Sequence, residues 1–322
     1  MNEFRFLPPA ASTLAGDVDT LYLFFLVVCG SAAMLVFVLV PLFAWRFRRR
    51  SEKQVPNPPK KSIRLEILSS ALPLLIVLVL FVWGARIYIN AYIPPPEALE
   101  IFVTGKQWMW KIQHPEGKRE INALHVPVGE PIKLTMTSED VVHSFFIPAF
   151  RVKRDVIPGR YSDLWFEATT PGEYHLFCAE YCGSEHSRMV GTVTVMTPHA
   201  YNQWLSDGQE GTSMVEAGLR LFEKHGCASC HSETATARGP DLRGLYKRKV
   251  LLATGETVVA DEGYLRESIL YPNAKIVAGH TIVMPTFKGQ IGEEGVSQLI
   301  SFIKSLGADQ NSPETQAADG TP

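Results

Sequence analysis

The sequence shows no excess of charge of either sign. Its 322 residues include 31 lysines and arginines against 33 aspartates and glutamates. Nucleic-acid-binding domains usually carry a basic excess, so this balance argues against a nucleic-acid partner. The length exceeds that of one ordinary domain and predicts two or three folding units.

Charged residues are missing altogether from two long stretches near the N-terminus. Residues 21–45 and 67–85 hold none, and both stretches are strongly apolar. A helix rises about 1.5 Å per residue, so roughly 20 apolar residues cross a bilayer core of about 30 Å. We therefore predict a transmembrane helical hairpin over residues 21–93, in contact with membrane lipid. The alternative is a pair of buried core helices, but core helices seldom lack a polar face over such a length.

The loop between the two apolar stretches is strongly basic. Residues 46–64 carry eight lysines and arginines and one acid, Glu52. Short loops of this kind stay on the cytoplasmic side. The prediction is a protein of the bacterial inner membrane, with residues 1–20, everything after the hairpin and both termini on the periplasmic side. Positive charges follow the first apolar stretch instead of preceding it, which favours a retained anchor over a cleaved signal peptide.

Beyond residue 97 the continuous apolar runs give way to short alternating segments. Ile132, Leu134 and Met136 alternate with polar residues, and glycine and proline bound such segments. This period-two alternation predicts an antiparallel β-sandwich or barrel over residues 97–197.

The C-terminal part of the chain is predicted to be helical. Ser213 begins a capping-box pattern with apolar residues at helical spacing behind it, and a second amphipathic stripe follows near the end. We assign residues 198–211 to a linker and residues 212–306 to an all-α domain. Small polar residues dominate 307–322, which we predict to be a disordered tail.

Cysteine is scarce, and its placement is uneven. In an oxidising compartment, disulfide bonds are the default expectation for the five cysteines present. Four of them form two close pairs, Cys178 with Cys182 and Cys227 with Cys230, and each pair has histidine and methionine nearby. This arrangement favours cofactor chemistry over disulfides.

The second cysteine pair has the form of a haem attachment site. Residues 227–231 read C-A-S-C-H, the C-x-x-C-H motif in which Cys227 and Cys230 form thioether bonds to c-type haem and His231 is an axial iron ligand. A zinc site would need a further pair of nearby ligands. A thioredoxin-like redox pair belongs in a βαβ unit, whereas the flanks here are helical.

The second axial ligand must come from further along the chain. Met284 is the only methionine after His231 and is the predicted ligand, with His280 as the alternative. Methionine ligation raises the haem potential, as electron transfer requires. Residues 212–306 thus resemble a class I cytochrome c.

The first cysteine pair lies in a segment rich in soft metal ligands. Residues 178–189 read C-A-E-Y-C-G-S-E-H-S-R-M. Thiolate, thioether and imidazole ligands together suit copper, and their presence on a β-sandwich resembles a cupredoxin. A blue-copper site needs one cysteine, whereas Cys178 and Cys182 allow two thiolates to bridge two coppers. Such a pair requires a second histidine from elsewhere, and His143 is the candidate.

These motifs together resemble a known family. C-x-E-x-C-G-x-x-H-x-x-M, preceded by H-S-F at 143–145 and Q-W-x-W at 107–110, is similar to the CuA site of cytochrome c oxidase subunit II, and the similarity covers residues 20–197. The resemblance implies a Greek-key cupredoxin-like sandwich with a dinuclear copper site. Its implied ligands are two bridging thiolates, two imidazoles, a weak axial thioether and a backbone carbonyl: Cys178, Cys182, His143, His186, Met189 and Glu180.

The resemblance implies roles for three further groups. Trp108 occupies the place of the aromatic residue through which electrons reach the copper, although Met109 stands where the family usually has tyrosine. The Glu180 carboxylate matches a position at which the family holds a magnesium ion against subunit I. Glu66, at the cytoplasmic start of the second apolar stretch, matches a glutamate at the mouth of a proton channel; the alternative is an ordinary interfacial charge.

The implied function is that of a caa-type cytochrome c oxidase subunit II. In such a subunit, haem c passes electrons to CuA, which passes them to haem in subunit I, where oxygen is reduced to water and protons are pumped. The implied partners are subunit I, subunit III, and an upstream donor complex or small cytochrome. Alternatives are the electron-input subunit of a CuA-containing nitric oxide reductase and a membrane-tethered electron-transfer protein without an oxidase partner.

Overall fold

The computed structural model describes residues 7–51, 62–207, 213–231 and 238–307. Most of the basic loop predicted at 46–64 and nearly all of the tail predicted at 307–322 lie outside these ranges. So do the first six residues and the end of the predicted linker.

Two long helices open the described chain, α1 (Thr13–Arg46) and α2 (Ile63–Tyr92). The side chains of Ser12 and Ser62 cap their first turns by accepting hydrogen bonds from backbone N–H groups. Both helices are long and apolar enough to cross a membrane, and the most apolar part of each is not buried within the chain. The lack of covering protein contradicts the alternative of buried core helices and fits helices whose apolar surface faces lipid.

The sandwich is fixed to the membrane-side helices by a few polar contacts. The Arg151 guanidinium donates hydrogen bonds to both carboxylate oxygens of Asp19 in α1, each at 2.7 Å, and to the backbone carbonyl of Pro148. At the end of α2, Trp165 Nε1 donates to the carbonyl of Asn90 at 2.9 Å. A bidentate arginine–carboxylate pair restricts orientation as well as distance, so the hairpin and sandwich are held in one arrangement.

Within the described range 62–207, ten strands form two five-stranded sheets. One sheet has the order β3-β2-β1-β5-β8 and the other β4-β10-β9-β6-β7. The strands are β1 (Leu99–Lys106), β2 (Met109–Gln113), β3 (Arg119–Ile121), β4 (Ala123–Pro127), β5 (Pro131–Ser138), β6 (His143–Ile147), β7 (Val152–Val156), β8 (Ser162–Glu167), β9 (Gly172–Cys178) and β10 (Val190–Met196). The predicted sandwich is therefore present, but β1–β5 and β4–β10 pair in parallel, which alternation within single strands does not reveal.

The sandwich core follows the predicted alternation. Ile132, Leu134 and Met136 of β5 point inward and are fully buried, as are Ile101 and Val103 of the neighbouring β1. Each such side chain stabilises the fold by about 1.5–3 kcal/mol relative to exposure. Packing of the two apolar faces therefore fixes how the two sheets lie on each other. It thereby also fixes the positions of the loops that carry the candidate metal ligands.

Part of the predicted linker is a helix packed on the sandwich. Helix α3 (Pro198–Ser206) places Tyr201 with its hydroxyl 3.0 Å from Nδ1 of the buried His114. Trp204 of the same helix stacks on the ring of His125 at 4.4 Å. The Glu120 carboxylate lies within hydrogen-bond distance of both histidines, so these rings are part of the packing of α3 on the sandwich.

The C-terminal domain is predominantly helical, with α4 (Met214–Lys224), α5 (Glu262–Leu270) and α6 (Glu293–Ser305). Ser213 accepts a hydrogen bond from the backbone N–H of Glu216 at 3.1 Å, as the capping-box pattern predicts. A short hairpin, β11 (Lys249–Leu251) and β12 (Thr257–Val259), interrupts the predicted all-α domain. Three-residue strands are too short to show a period in the sequence.

Helices α4 and α6 cross in close contact at Gly218. A Cβ atom at this position would lie 2.1 Å from the carbonyl oxygen of Gln298, so only glycine permits the crossing. We expect Gly218→Ala to destabilise the C-terminal domain by about 1–3 kcal/mol and to lower its unfolding midpoint by roughly 5–15 °C. Thermal unfolding followed by haem absorption in the purified complex measures this.

Gly292→Ala is the matched control for that substitution. A Cβ at Gly292 meets no atom within 4 Å. Because Gly292 is the N-cap of α6, where alanine is less favourable than glycine, its midpoint is expected to fall, but by less than that of Gly218→Ala. A midpoint for Gly218→Ala no lower than that of Gly292→Ala would show that the two helices are not in contact at Gly218.

Candidate metal and haem centres

Two adjacent strands bring the first metal-ligand candidates together. In the antiparallel pairing of β6 with β9, Phe145 lies opposite Cys178, so His143 at the start of β6 is brought close to the end of β9. The chain then turns through Cys182 and a short 3-10 turn, His186–Arg188, before β10 begins. The backbone N–H of Cys178 donates to the carbonyl of Met189 at 3.1 Å, which closes the loop.

The predicted ligand atoms form one compact cluster. The two sulfurs, Cys178 Sγ and Cys182 Sγ, are 3.8 Å apart. Each sulfur has one imidazole beside it: His143 Nδ1 lies 4.0 Å from Cys178 Sγ, and His186 Nδ1 lies 3.4 Å from Cys182 Sγ. Met189 Sδ lies 3.8 Å from Cys182 Sγ. The five side-chain donor atoms are therefore linked through the two sulfurs by distances of 4.0 Å or less.

The backbone supplies the sixth predicted donor. The carbonyl oxygen of Glu180 lies 3.2 Å from Cys178 Sγ, whereas Met189 Sδ is next to Cys182 Sγ. The residue itself is exposed, which leaves its carboxylate accessible at the surface. The structure thus brings together the donor atoms of all six predicted copper ligands.

The chemistry of the cluster fits copper. A disulfide requires sulfurs about 2.05 Å apart, so the 3.8 Å separation shows two free thiols. His143 is fully buried and both cysteines are nearly so. Two thiols, two imidazoles and a thioether form a soft donor set that suits copper over calcium or magnesium.

The thiols differ in acidity. Burial alone would raise the pKa of the Cys178 thiol, but hydrogen bonding with His143 and backbone groups outweighs burial and lowers that pKa. Burial and the adjacent Cys178 thiolate both raise the pKa of Cys182. Two thiolates this close repel each other, so the pair loses both protons readily only when bound cations offset the charge.

A hydrogen bond behind the cluster was not predicted. His143 Nε2 lies 2.8 Å from Asp140 Oδ1, while Nδ1 faces the cysteines. Asp140 Oδ2 also accepts a hydrogen bond from the backbone N–H of Gln107 at 2.7 Å. A carboxylate in this position fixes the orientation and tautomer of a ligating histidine. Its signal in the sequence is an acidic residue three positions before the histidine.

Because Asp140 holds the His143 ring in place, its replacement should weaken copper binding. We expect Asp140→Asn to lower copper affinity about 10- to 100-fold. Copper competition titrations with a chelator on the purified complex measure this affinity. Glu139→Gln is the matched control, because Glu139 pairs with Lys106 and Lys111 and contacts none of the ligands. Equal affinities in the two variants would contradict the role of Asp140.

Two tryptophans near the site differ in environment: Trp108 lies in the turn between β1 and β2, and Trp110 lies within β2. Trp108 lies half-buried beside the ligand loop, and the side-chain amide of the preceding Gln107 donates to the carbonyl of Cys182 at 2.8 Å. Trp110 is fully buried, with its ring centroid 5.8 Å from that of His143. A Cβ on Gly105 would come within 2.8 Å of the His143 ring, so the close packing of strand on ligand requires glycine there.

The haem-motif residues line one apolar cavity of the C-terminal domain. Its wall includes both cysteines of the motif, the histidine, and both candidates for the second axial ligand. The apolar part of the wall comes from all three helices and the intervening loops, through Phe222, Leu242, Tyr264, Leu265, Leu299 and Ile303. An apolar cleft with a few polar groups is the expected form of a haem pocket.

The orientation of His231 favours iron ligation. Its Nδ1 donates to the carbonyl of Pro240 at 2.8 Å, which leaves Nε2 free for the cavity. Of the two candidates for the opposite side, Met284 packs against the apolar core, whereas His280 Nδ1 lies 3.3 Å from the carbonyl of Arg238. These surroundings favour Met284.

Glu66 lies apart from both centres. It occupies the first turn of α2 and is exposed. Within the described residues, Glu66 belongs to neither the copper cluster nor the lining of the haem cavity. Its role in proton uptake therefore stays a prediction.

Comparison with known proteins assigns both domains. A family model described as cytochrome c oxidase subunit II, periplasmic domain, matches residues 117–196, and a cytochrome c model matches residues 215–307. The first range contains all six predicted copper ligands, and the second contains the four predicted haem ligands and attachment sites.

Several full-length relatives are similar to this chain. Cytochrome c oxidase subunit 2 of Synechocystis is 31% identical over 248 residues, spanning 62% of this chain and 75% of the relative. The subunit 2 of Alkalihalophilus pseudofirmus is 28% identical over 297 residues, spanning 87% of this chain and 84% of the relative. The crystal structure of the periplasmic domain of subunit II (CoxB) from Bradyrhizobium japonicum is 32% identical, with a TM-score of 0.35, over 37% of this chain and 98% of that one.

The match to the Synechocystis protein covers 75% of that protein's length, which is sufficient to assign the family of this chain. The chain is a membrane-anchored component of an oxidoreductase complex, and its fused C-terminal domain fits the caa type. It belongs to the cytochrome c oxidase subunit 2 family.

Proposed function

We propose that this chain is the electron-input subunit of a proton-pumping terminal oxidase, with the C-terminal domain receiving electrons and the sandwich delivering them to subunit I. The observation that supports this most directly is the buried cluster of two thiols, two imidazoles and a thioether. A second redox domain in the same chain provides the upstream step.

In this proposal each ligand has a defined task. Cys178 and Cys182 would supply two thiolates, His143 and His186 two imidazoles, and Met189 and the Glu180 carbonyl the remaining donors that would hold the copper pair. When bound, a thiolate-bridged copper pair takes up and releases one electron with little rearrangement of its ligands. The protein contributes rigidity, because Asp140 and the close packing of Trp110 hold the His143 ring.

The haem is held in the same way by groups of this chain. Cys227 and Cys230 would bond covalently to the porphyrin, and His231 and Met284 would ligate the iron. The Pro240 carbonyl keeps the His231 ring oriented. Thioether ligation stabilises the reduced iron and so raises the potential at which the domain accepts electrons.

The membrane orientation and the partners follow from the same proposal. The basic loop 46–64 stays cytoplasmic, and both redox domains lie on the periplasmic side. Subunit I contacts the exposed surface around Glu180, where a magnesium ion binds, and subunit III completes the complex. Glu66 supplies a proton-channel mouth, and an upstream complex or small cytochrome supplies electrons. Trp108, beside the ligand loop, provides the route by which electrons reach the copper.

Purification of the intact complex tests this function. We expect two coppers and one covalently attached haem c assigned to this subunit, a near-infrared copper band, and oxygen consumption driven by reduced haem c. Reduction of nitric oxide without oxygen consumption would instead identify a nitric oxide reductase. A colourless, copper-free subunit with its cysteines joined in disulfides would contradict the proposal.

A further inference from the structure

The helices that form the wall of the haem cavity also form the contact with the sandwich. On α6, Leu299 and Ile303 line the cavity, whereas Ser297 and Lys304 face the sandwich. Because α6 contacts both the cavity and the sandwich, a shift of α6 relative to the sandwich would also shift the wall of the cavity. Whatever fixes α6 on the sandwich therefore fixes the haem cavity relative to the copper cluster.

Four charged side chains close a ring across this contact. Lys304 Nζ lies 2.5 Å from Glu100 Oε2 and 3.1 Å from Glu262 Oε1. Lys133 Nζ lies 3.1 Å from Glu100 Oε1 and 3.5 Å from Glu262 Oε1. Glu100 and Lys133 belong to the sandwich, while Glu262 and Lys304 belong to the haem domain. We call these four residues the charge ring.

The charge ring is balanced and shielded from water. Its side chains are between 12% and 21% exposed, and beyond the ring Lys133 Nζ lies 3.7 Å from an Asp163 carboxylate oxygen and the Tyr246 hydroxyl donates to Glu262. Burial alone would raise the pKa of the Glu100 carboxyl, but Lys304 and Lys133 outweigh burial and hold that pKa below its usual value. The two lysines act in the same way on Glu262 and lower its pKa to about 2. Both acids are therefore ionised at neutral pH.

Neighbouring contacts reinforce the ring. The Arg266 guanidinium donates to the carbonyl of Gly159 in the sandwich at 2.5 Å and also pairs with Glu293 of its own domain. Tyr161 and Ser297 lie with their hydroxyl oxygens 3.2 Å apart across the contact. Arg266 is almost fully buried and keeps Glu293 as its ion-pair partner, while its hydrogen bond to the Gly159 carbonyl exists only when the two domains are in contact.

We propose that the charge ring is a fixed docking device in which Lys133 and Lys304 are positioning residues for electron transfer between the domains. Each domain contributes one acid and one base, so each half is an ion pair before docking, and docking adds the two cross-domain contacts. The haem domain then acts from one orientation instead of detaching for each electron. This inference rests on the proposed electron-input function.

Neutral replacement of one lysine tests the proposal in the complete oxidase. Lys304→Met leaves two buried carboxylates beside one remaining ammonium, and the docked-to-undocked ratio is expected to fall about a hundredfold. Two measurements report this. The distance distribution between haem c iron and copper, from pulsed paramagnetic resonance, should broaden, and fast electron equilibration between the two centres should lose most of its amplitude.

The controls separate docking from damage to either centre. Arg220→Met breaks an ion pair with Glu216 on the exposed side of α4 and should leave both readouts unchanged. The midpoint potentials and spectra of both centres should also be unchanged in Lys304→Met. Lys133→Met removes the corresponding ammonium group from the sandwich. It tests the docking proposal if Lys304→Met fails to retain haem.

The outcomes are distinct from those that test the function itself. Absence of copper or haem c from the wild-type complex would contradict the proposed function. A wild-type distance distribution and wild-type fast phase in either lysine variant with both centres intact would overturn the docking proposal alone.

Discussion

Replacing Cys182 with serine is expected to abolish the near-infrared band of the copper pair while leaving the haem c spectrum intact. The Cys182 sulfur lies 3.8 Å from that of Cys178 and has His186 Nδ1 and Met189 Sδ as its neighbours. A serine hydroxyl is a hard donor that stays protonated near neutral pH, so it cannot replace a bridging thiolate. Loss of one bridge removes the path by which one electron is shared between two metals.

Optical and paramagnetic resonance spectra of the purified complex, together with a copper count, measure this effect. Cys29→Ser is the matched control, because Cys29 is exposed on α1 far along the sequence from either centre. Both spectra should survive that change. Survival of the copper band in Cys182→Ser would show that the ligand assignment is wrong.

The copper cluster is largely predictable from sequence because most of it is local. Five of its six donors lie within residues 178–189, so their spacing alone indicates a shared site. His143 is distant in sequence and is brought in by the pairing of β6 with β9. Its candidacy depended on the need for a second imidazole and on a motif resemblance, since no local pattern joins it to the cysteines.

The groups that support the ligands could not be found in this way. Asp140 reaches His143 through a side-chain hydrogen bond that depends on the course of a loop, and an acid near a histidine is common in any sequence. The same holds for the Pro240 carbonyl, because backbone acceptors carry no residue signature. Such contacts are decided by tertiary packing and appear only once the backbone is known.

The contact between domains was the largest feature missed. The four residues of the charge ring stand at positions 100, 133, 262 and 304, and each reads by itself as an ordinary surface charge. These residues form a ring of alternating positive and negative charges only once α5 and α6 pack on the sandwich. Hydrophobic periodicity predicts which face of a helix is buried, but it does not predict which charged residues on the other face meet a second domain.

Replacing Met284 with alanine is expected to lower the haem midpoint potential by on the order of 100–200 mV, since axial ligation is the main protein control on this potential. Met284 packs against the core and lines the haem cavity, and a thioether ligand at this position would favour the reduced iron. A drop of about 120 mV shifts a one-electron equilibrium about a hundredfold toward the oxidised haem. The variant should therefore accept electrons poorly from its donor while its copper spectrum is unchanged.

Redox titration of haem c in the complete oxidase measures the shift, and His280→Ala is the paired control. His280 lines the same cavity, but its Nδ1 lies near the carbonyl of Arg238, so the control should keep a wild-type potential. The reverse result, with Met284→Ala unchanged and His280→Ala shifted, would identify the histidine as the ligand. Histidine ligation would place the working potential of the domain lower, and an upstream donor of correspondingly lower potential would then be required to reduce it.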